Sequence, residues 1–193
     1  MAVKRIIVGI TGASGAIYGV RLLEILKDLG VETHLVMSPS SEITLGLETG
    51  LKTRDVKAKA SKAYDVNDIA AAISSGSFKH DGMIVAPCSI KTMSEIATGV
   101  TSNLMSRAAD VTLKQRRRLV LMVRETPLHT GHLESMAKVS SFGAIVFPPV
   151  PAFYTKPQSL DEMVDQTLAR VLDLFDLETN ALQRWKDESR DIS

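Results

Sequence analysis

Three unbroken apolar runs mark the chain: Ile6-Ile7-Val8-Gly9-Ile10, Gly82-Met83-Ile84-Val85-Ala86-Pro87, and Leu119 to Val123. Runs this short, without polar alternation, predict strands buried on both faces of a parallel sheet. Between them the period changes. From Ala16 the apolar residues Ile17, Val20, Leu23 and Leu26 recur at helical spacing, and Gly30 stands where a helix C-terminal glycine belongs. Val31 to Met37 predicts a second strand, and Ser38-Pro39-Ser40-Ser41 turns into a helix through Glu48. Helical stretches through Met105 and Leu113 lead into the Leu119 strand. Ala144 to Phe147 is a short strand that Pro148, Pro149 and Pro151 end in a rigid loop. Ser159 and Glu162 are spaced as a capping box for a helix running to about Leu174, and a last helical piece surrounds Trp185. The segment from Arg54 to Asp81 is the least patterned; within it Asn67 is read as the cap of a helix through Ile73 that ends near Gly76.

Strands alternating with helices predict an α/β fold: a three-layer, doubly wound parallel sheet of the Rossmann or flavodoxin-like kind. Such a sheet binds ligands beyond the C-terminal ends of its strands. A single domain spanning 1–193, with a helical tail at about 179–193, is expected for this length. There is no internal repeat.

Composition narrows the function. The 193 residues carry 23 Lys plus Arg against 22 Asp plus Glu, a net charge of +1, which excludes a broad polyanion-binding face and so a nucleic-acid partner. The balance is a cancellation. Leu104 to Arg124 holds six basic residues and one acid, whereas Leu160 to Ser193 holds nine acids and four bases. An apolar fraction of 45% suggests surface covered by other subunits. Cys88 is the single cysteine, so no internal disulfide forms and a reducing, cytoplasmic setting is expected. No 18-residue apolar run spans a membrane, and the N-terminal run is too short for a signal-peptide core.

The candidate chemistry lies at predicted strand ends. Thr11-Gly12-Ala13-Ser14-Gly15-Ala16 joins the first strand to its helix, and glycines there allow backbone N–H groups to approach a phosphate, with the hydroxyls of Thr11 and Ser14 as further donors. It is neither GxGxxG nor a Walker loop, and Ser38 stands where a dinucleotide site wants a carboxylate, so a mononucleotide such as FMN is preferred over NAD. A tight turn binding nothing is the plainer reading. The turn is also one residue from a GxSxG elbow, with His129 and His132 downstream, so a hydrolase stays open. Pro87-Cys88-Ser89-Ile90-Lys91-Thr92 places hydroxyls and a lysine after another strand; Ser89 or Thr92 as a plain helix cap is the alternative. Arg107 and Lys114, seven residues apart, share one face if their segment is a continuous helix. Arg116-Arg117-Arg118 reads as a solvated helix end. Arg124-Glu125 offers a carboxylate beside arginine for acid/base work, or a structural ion pair. His129 and His132 lack partners at metal-ligand spacing, so no metal is expected.

Taken together, Gly12-Ala13-Ser14-Gly15-Ala16-Ile17-Tyr18-Gly19, Pro87-Cys88-Ser89, Ala97-Thr98-Gly99, Arg107-Ala108-Ala109-Asp110-Val111, Arg124-Glu125-Thr126-Pro127-Leu128, His132-Leu133-Glu134 and Phe153-Tyr154 resemble the UbiX family of flavin prenyltransferases. The likeness runs in order through nearly the whole chain. It implies transfer of a dimethylallyl group from dimethylallyl monophosphate to N5 and C6 of reduced FMN, with the prenylated FMN passed to a UbiD-type decarboxylase, in a large homo-oligomer, a dodecamer, with pockets between subunits. It further implies that Gly12, Ala13, Ser14, Ser38, Ser89, Ile90, Lys91, Thr92 and Arg124 hold FMN. Arg107, Lys114, Tyr154 and Arg170 would hold the substrate phosphate, Glu125 with Ser14 beside it would serve as acid/base, and Trp185 would lie near the prenyl group. The residue chemistry agrees: fixed cations and a phenol stabilise a departing phosphate, and π-faces stabilise an allyl cation. The sequence has no Asp-Asp-x-x-Asp cluster for magnesium diphosphate, which fits a monophosphate donor. Two other functions remain as expectations to test: a decarboxylase using FMN itself, and a flavin-binding protein that only delivers cofactor.

Overall fold

A computed structural model describes residues 3–179 and Arg184. The chain divides at Pro148–Pro149 into two compact units. The first is built on six parallel strands: β1 (Arg5–Ile10), β2 (Glu32–Met37), β3 (Lys62–Tyr64), β4 (Gly82–Cys88), β5 (Arg118–Val123) and β6 (Ile145–Val146). Their order is β3-β2-β1-β4-β5-β6, the Rossmann arrangement rather than the flavodoxin one. The register is regular from Arg5↔Glu32 to Ile10↔Met37 between β1 and β2. The β4–β5 ladder shifts between Val85 and Cys88, where Pro87 has no N–H to donate.

The unbroken apolar runs form strands because both sheet faces are covered: Ile6 to Ile10 and every residue of β4 are buried. Right-handed crossovers away from β1 in one direction and from β4 in the other put α1 (Ala16–Asp28) and α2 (Pro39–Thr49) on one face, and α4 (Ile90–Thr98), α5 (Leu104–Lys114) and α6 (Thr130–Ser141) on the other. Ile7, Val85 and Leu121 pack with Met93 and Met105 in the core beneath α4 and α5. Gly30 takes the left-handed conformation after α1, at φ 69°, as its position in the sequence predicts.

The structure departs from the sequence reading between Arg54 and Asp81. A short α3 (Thr53–Lys57) and strand β3 occupy its first part, and in place of a helix from Asn67 there are turns and one 3₁₀ turn, Ala72–Ser74. The cause is local: the carboxylates of Asp65 and Asp68 accept the backbone N–H groups of Asn67 and Ala70 at 2.8 and 3.2 Å, closing turns that compete with helix formation. The strand predicted over Ala144–Phe147 is confined to Ile145–Val146.

The second unit contains a 3₁₀ turn, Phe153–Thr155, and α7 (Leu160–Asp173). Ser159 caps α7 by accepting the Glu162 N–H at 3.1 Å, and Glu162 accepts the N–H of Gln158, one residue before the cap, at 2.6 Å. The predicted tail helix around Trp185 lies outside the described residues. Among those described, no helix is long and apolar enough to cross a membrane.

Candidate functional site

The helices change faces between the adjacent strands β1 and β4, which opens a crevice at their C-terminal ends. Backbone and side-chain bonds lock the loops around it. The buried Thr11 hydroxyl donates to the Pro87 carbonyl at 2.7 Å and accepts the Ser89 N–H at 2.7 Å. Ser38 N–H donates to the Ile10 carbonyl at 3.0 Å, and Arg124 N–H to that of Cys88 at 3.1 Å. The loops after β1, β2, β4 and β5 therefore converge, bringing together Gly12 to Ser14, Ser38, Ser89 to Thr92 and Arg124-Glu125.

Gly15 is the first residue to require its type: its φ of 100° is hostile to any side chain. It turns the chain so that α1 begins at Ala16, with no acidic residue in its first turn. Glu48, in the last turn of α2, fills the gap. Its carboxylate accepts the Gly15 N–H at 2.9 Å and the Ala16 N–H at 2.9 Å. Burial pushes the Glu48 carboxyl up, but the Ser14 hydroxyl, the Ala16 and Gly15 N–H groups and the charge of Arg124 outweigh it and hold it below its ordinary value. Ser14, Glu48 and Arg124 thus form one electrostatic group. Sequence reasoning missed Glu48. The signal that would find it is an α1 N-terminus with no local acceptor, because orphan N–H groups there need a partner.

These contacts change the reading of the glycine turn. The Thr11 hydroxyl is already engaged by the β4 loop, and the Gly15 and Ala16 N–H groups at the start of α1 by Glu48. A further helix N-terminus follows β4, that of α4. Ser89 caps it by accepting the Thr92 N–H at 3.4 Å and donates to the Thr92 hydroxyl at 3.3 Å. Ile90 and Lys91 begin α4, where first-turn N–H groups have no intrahelical acceptor, a donor set suited to a dianionic phosphate. Ser38 likewise caps α2 through the Ser41 N–H at 3.2 Å. The cap reading and the flavin reading of these serines are compatible: the cap fixes the terminus that would hold the anion. Arg124 and the Ser14 edge of the turn suit the polar rim of a flavin ring.

The chain matches known proteins along most of its length. The Flavoprotein family profile matches residues 1–177. The flavin prenyltransferase UbiX of Escherichia coli strain K12 is 57% identical over 186 residues, 95% of this chain and 98% of that one. That of Thauera aromatica is 53% identical over 190 residues, 98% of each. The chain belongs to the UbiX flavin prenyltransferase family. A solved structure of AnUbiX (PadA1) in complex with FMN and dimethylallyl pyrophosphate superposes with a TM-score of 0.94 at 52% identity, covering 95% of this chain and 98% of that one. A dodecameric FMN-dependent UbiX-like decarboxylase from Escherichia coli O157:H7 gives a TM-score of 0.92 at 51% identity, over 94% and 99% of the two chains.

The remaining residues singled out by the UbiX resemblance are not all neighbours. Arg107 and Lys114 do lie on one continuous helix, α5. Arg107 donates to the Ser74 carbonyl at 3.2 Å and pairs with Asp110 at 2.9 Å. Lys114 ends α5 just before β5 starts, at the N-terminal edge of the sheet, and the cavity it lines includes Ser106 and Asp110 but not Arg107. The expectation that candidate residues all sit at C-terminal strand ends therefore fails for Lys114, because a helix between parallel strands runs back against them. Glu125 accepts the Thr126 N–H at 3.1 Å. In the second unit, Tyr154 lies in the 3₁₀ turn and Arg170 pairs with Asp173 at 2.7 Å; Trp185 lies outside the described residues. The hydrolase alternative loses its base: the Ser14 partner is Glu48, while His129 caps α6 through the Gly131 N–H at 3.1 Å and lies against His132 with the rings tilted by 32° and their centroids 3.6 Å apart. Burial pushes the Cys88 thiol up to about 12, so it stays protonated and is no nucleophile.

Proposed function

We propose that this chain is a flavin prenyltransferase that moves a dimethylallyl group from dimethylallyl monophosphate to N5 and C6 of reduced FMN, and that its prenylated product serves a UbiD-type decarboxylase. The observation that carries the reading is the Ser14–Glu48–Arg124 group in the β1/β4 crevice. The α4 terminus, with Ser89, Ile90, Lys91 and Thr92, would hold the FMN phosphate. Gly12, Ala13, Ser14, Ser38 and Arg124 would line the ribityl chain and ring. When bound, reduced FMN supplies the two nucleophilic positions.

Cleavage of the allylic C–O bond leaves charge on phosphate. Arg107, Lys114, Tyr154 and Arg170 are assigned to hold it, because cationic and phenolic donors stabilise that charge more in the transition state than before it. Bond formation at C6 releases one proton, which a carboxylate can accept. Glu125 is one candidate. Glu48 is a second, since it already accepts from the Ser14 hydroxyl and its depressed pKa keeps it ionised near neutrality. Trp185 keeps the role beside the prenyl group that the family resemblance implies. Lys114 lies on the opposite sheet edge from Ser14, which supports a site completed by a neighbouring subunit, in an assembly like the dodecamer of the Escherichia coli O157:H7 relative. A cytoplasmic setting rests on the lone, buried Cys88.

The test supplies purified protein with reduced FMN and one of two donors. Phosphate release from dimethylallyl monophosphate, at least tenfold faster than pyrophosphate release from the diphosphate, supports the assignment. Release of CO₂ from an aromatic acid by this chain and FMN alone would replace it with the decarboxylase, and flavin binding without turnover would leave a delivery protein.

A further inference from the structure

The run Arg116-Arg117-Arg118 reads from sequence as a solvated helix end, and Arg117 is the exception. It is half-buried between two exposed neighbours, and its guanidinium donates to the Phe78 carbonyl at 2.7 Å and the Gly76 carbonyl at 3.2 Å. The main chain places it there. Arg116 takes the left-handed conformation after α5, with φ 56°; its N–H closes on the Leu113 carbonyl at 2.9 Å and that of Arg117 on the Thr112 carbonyl at 3.0 Å, the paired closure that ends many helices. A planar fork set on a fixed backbone loses little freedom in gripping two carbonyls.

The turn that Arg117 grips reaches a residue of the proposed site. Ser74 closes the 3₁₀ turn, whose Ile73 is fully buried, and its carbonyl accepts from Arg107 Nε at 3.2 Å. From Ser74 the chain runs on in short turns: the Phe78 N–H donates to the Ser75 carbonyl at 3.2 Å and the Ser77 N–H to the Ser75 hydroxyl at 3.3 Å. Beyond Phe78, Arg5 holds the Lys79 carbonyl at 2.8 Å. With Ile73 buried at one end and Lys79 held at the other, any slack left by removing Arg117 falls on 74–78, the stretch that carries the carbonyl used by Arg107. Arg107 Nη1 also pairs with Asp110 at 2.9 Å, but those side chains are 36% and 39% exposed, and a surface pair along one helix is weak by itself. The Ser74 carbonyl therefore decides how the guanidinium lies, and with Nε and Nη1 committed it leaves Nη2 to meet an anion.

We propose that Arg117 is a positioning residue for the transfer reaction: by pinning the Gly76 and Phe78 carbonyls it holds the Ser74 carbonyl where it aims Arg107 at the substrate phosphate. This rests on the assignment of Arg107 to that phosphate. The test is a double-mutant cycle on the full chain, loaded with oxidised FMN so that binding is read apart from transfer, and titrated calorimetrically with dimethylallyl monophosphate. Arg107→Ala should weaken donor binding by about tenfold or more, the loss of one charged phosphate contact. Arg117→Ala should weaken it by about five- to tenfold in the parent but change it by less than about twofold beside Arg107→Ala, because a residue acting through another adds nothing once that residue is gone. FMN affinity should not change. Arg117→Lys keeps one donor for the turn and should restore binding to within about threefold of the parent; it also carries the cycle if Arg117→Ala does not fold. The proposal alone fails if Arg107→Ala weakens binding as expected but the Arg117 substitutions cost nothing, or cost the same factor with and without Arg107, since Arg117 then serves only the fold. If Arg107→Ala binds the donor as the parent does, the phosphate assignment fails and the proposal falls with it.

Discussion

Glu48→Gln is the substitution that bears most on the site, because one carboxylate joins the start of α1 to the Ser14 hydroxyl. Its oxygens accept the Gly15 N–H at 2.9 and 3.2 Å and the Ala16 N–H at 2.9 Å. Glutamine keeps one acceptor oxygen but turns an NH₂ group toward the donors and removes the negative charge from the helix N-terminus. For an exposed residue, losing that charge costs about 0.3–1 kcal/mol, and the mismatched donor costs about 0.5–1.5 kcal/mol more. The thermal midpoint of a chain this long should then fall by roughly 2–10 °C, at about 2–4 °C per kcal/mol. The kinetic effect should be far larger. If Glu48 takes or relays the proton released at C6, prenylation should slow by about 10²–10⁴-fold, the usual worth of a positioned acid or base, with FMN affinity within a few-fold of the parent. Single-turnover flavin analysis under anaerobic conditions, at matched FMN occupancy, measures this. Turnover within threefold of the parent would refute the acid/base role and leave Glu48 as a helix cap.

Other outcomes follow from the same structure. His80 is 7% exposed and burial pushes its pKa from 6.5 down to about 4. The unfolded chain therefore takes up the proton first: stability is full above pH 6.5 and is lost as pH falls toward 4, by at most about 3 kcal/mol. Denaturant midpoints at pH 7.5 and 5 should differ, and His80→Asn should flatten the difference; an unchanged slope would reject His80 as its source. Gly15→Ala forces a side chain into φ 100°, costing about 1–2 kcal/mol, and should weaken FMN binding by misplacing Ser14; a stable variant with parental FMN affinity would contradict this. Glu48→Gln and Lys114→Gln chains should each be nearly inactive as pure assemblies but regain measurable activity when co-expressed, if a site draws on two subunits. No recovery in mixed assemblies would place Lys114 and Glu48 in the same chain's site or leave Lys114 outside any.

The strands were legible because burial on both faces leaves an unbroken apolar run, as in Ile6 to Ile10 and in β4. Helix α6 gave no such signal: of its twelve residues only Val139 is buried, so the apolar stripe that marks an amphipathic helix is missing. The turn-rich stretch after Tyr64 misled for a different reason. Asp65, Asn67 and Asp68 suit caps and turns equally, and only the structure shows the turns winning. At the site, Ser14, Ser89 and Arg124 were readable because loops of an α/β sheet place their chemistry at strand ends. Glu48 was not, since its partners Gly15 and Ala16 are over thirty residues away and nothing local distinguishes it from a solvated glutamate on α2. The wrong edge for Lys114 was avoidable: a helix returning between parallel strands ends at the opposite side of the sheet.

The most direct test of flavin prenylation is the mass of the flavin itself. Reduced FMN and dimethylallyl monophosphate are incubated with the purified chain without oxygen, the protein is removed, and the extracted flavin is weighed by mass spectrometry. The account predicts a product heavier by one five-carbon prenyl unit, formed only when enzyme and donor are both present. Recovery of unmodified FMN alone, from protein that demonstrably binds it, would contradict the account.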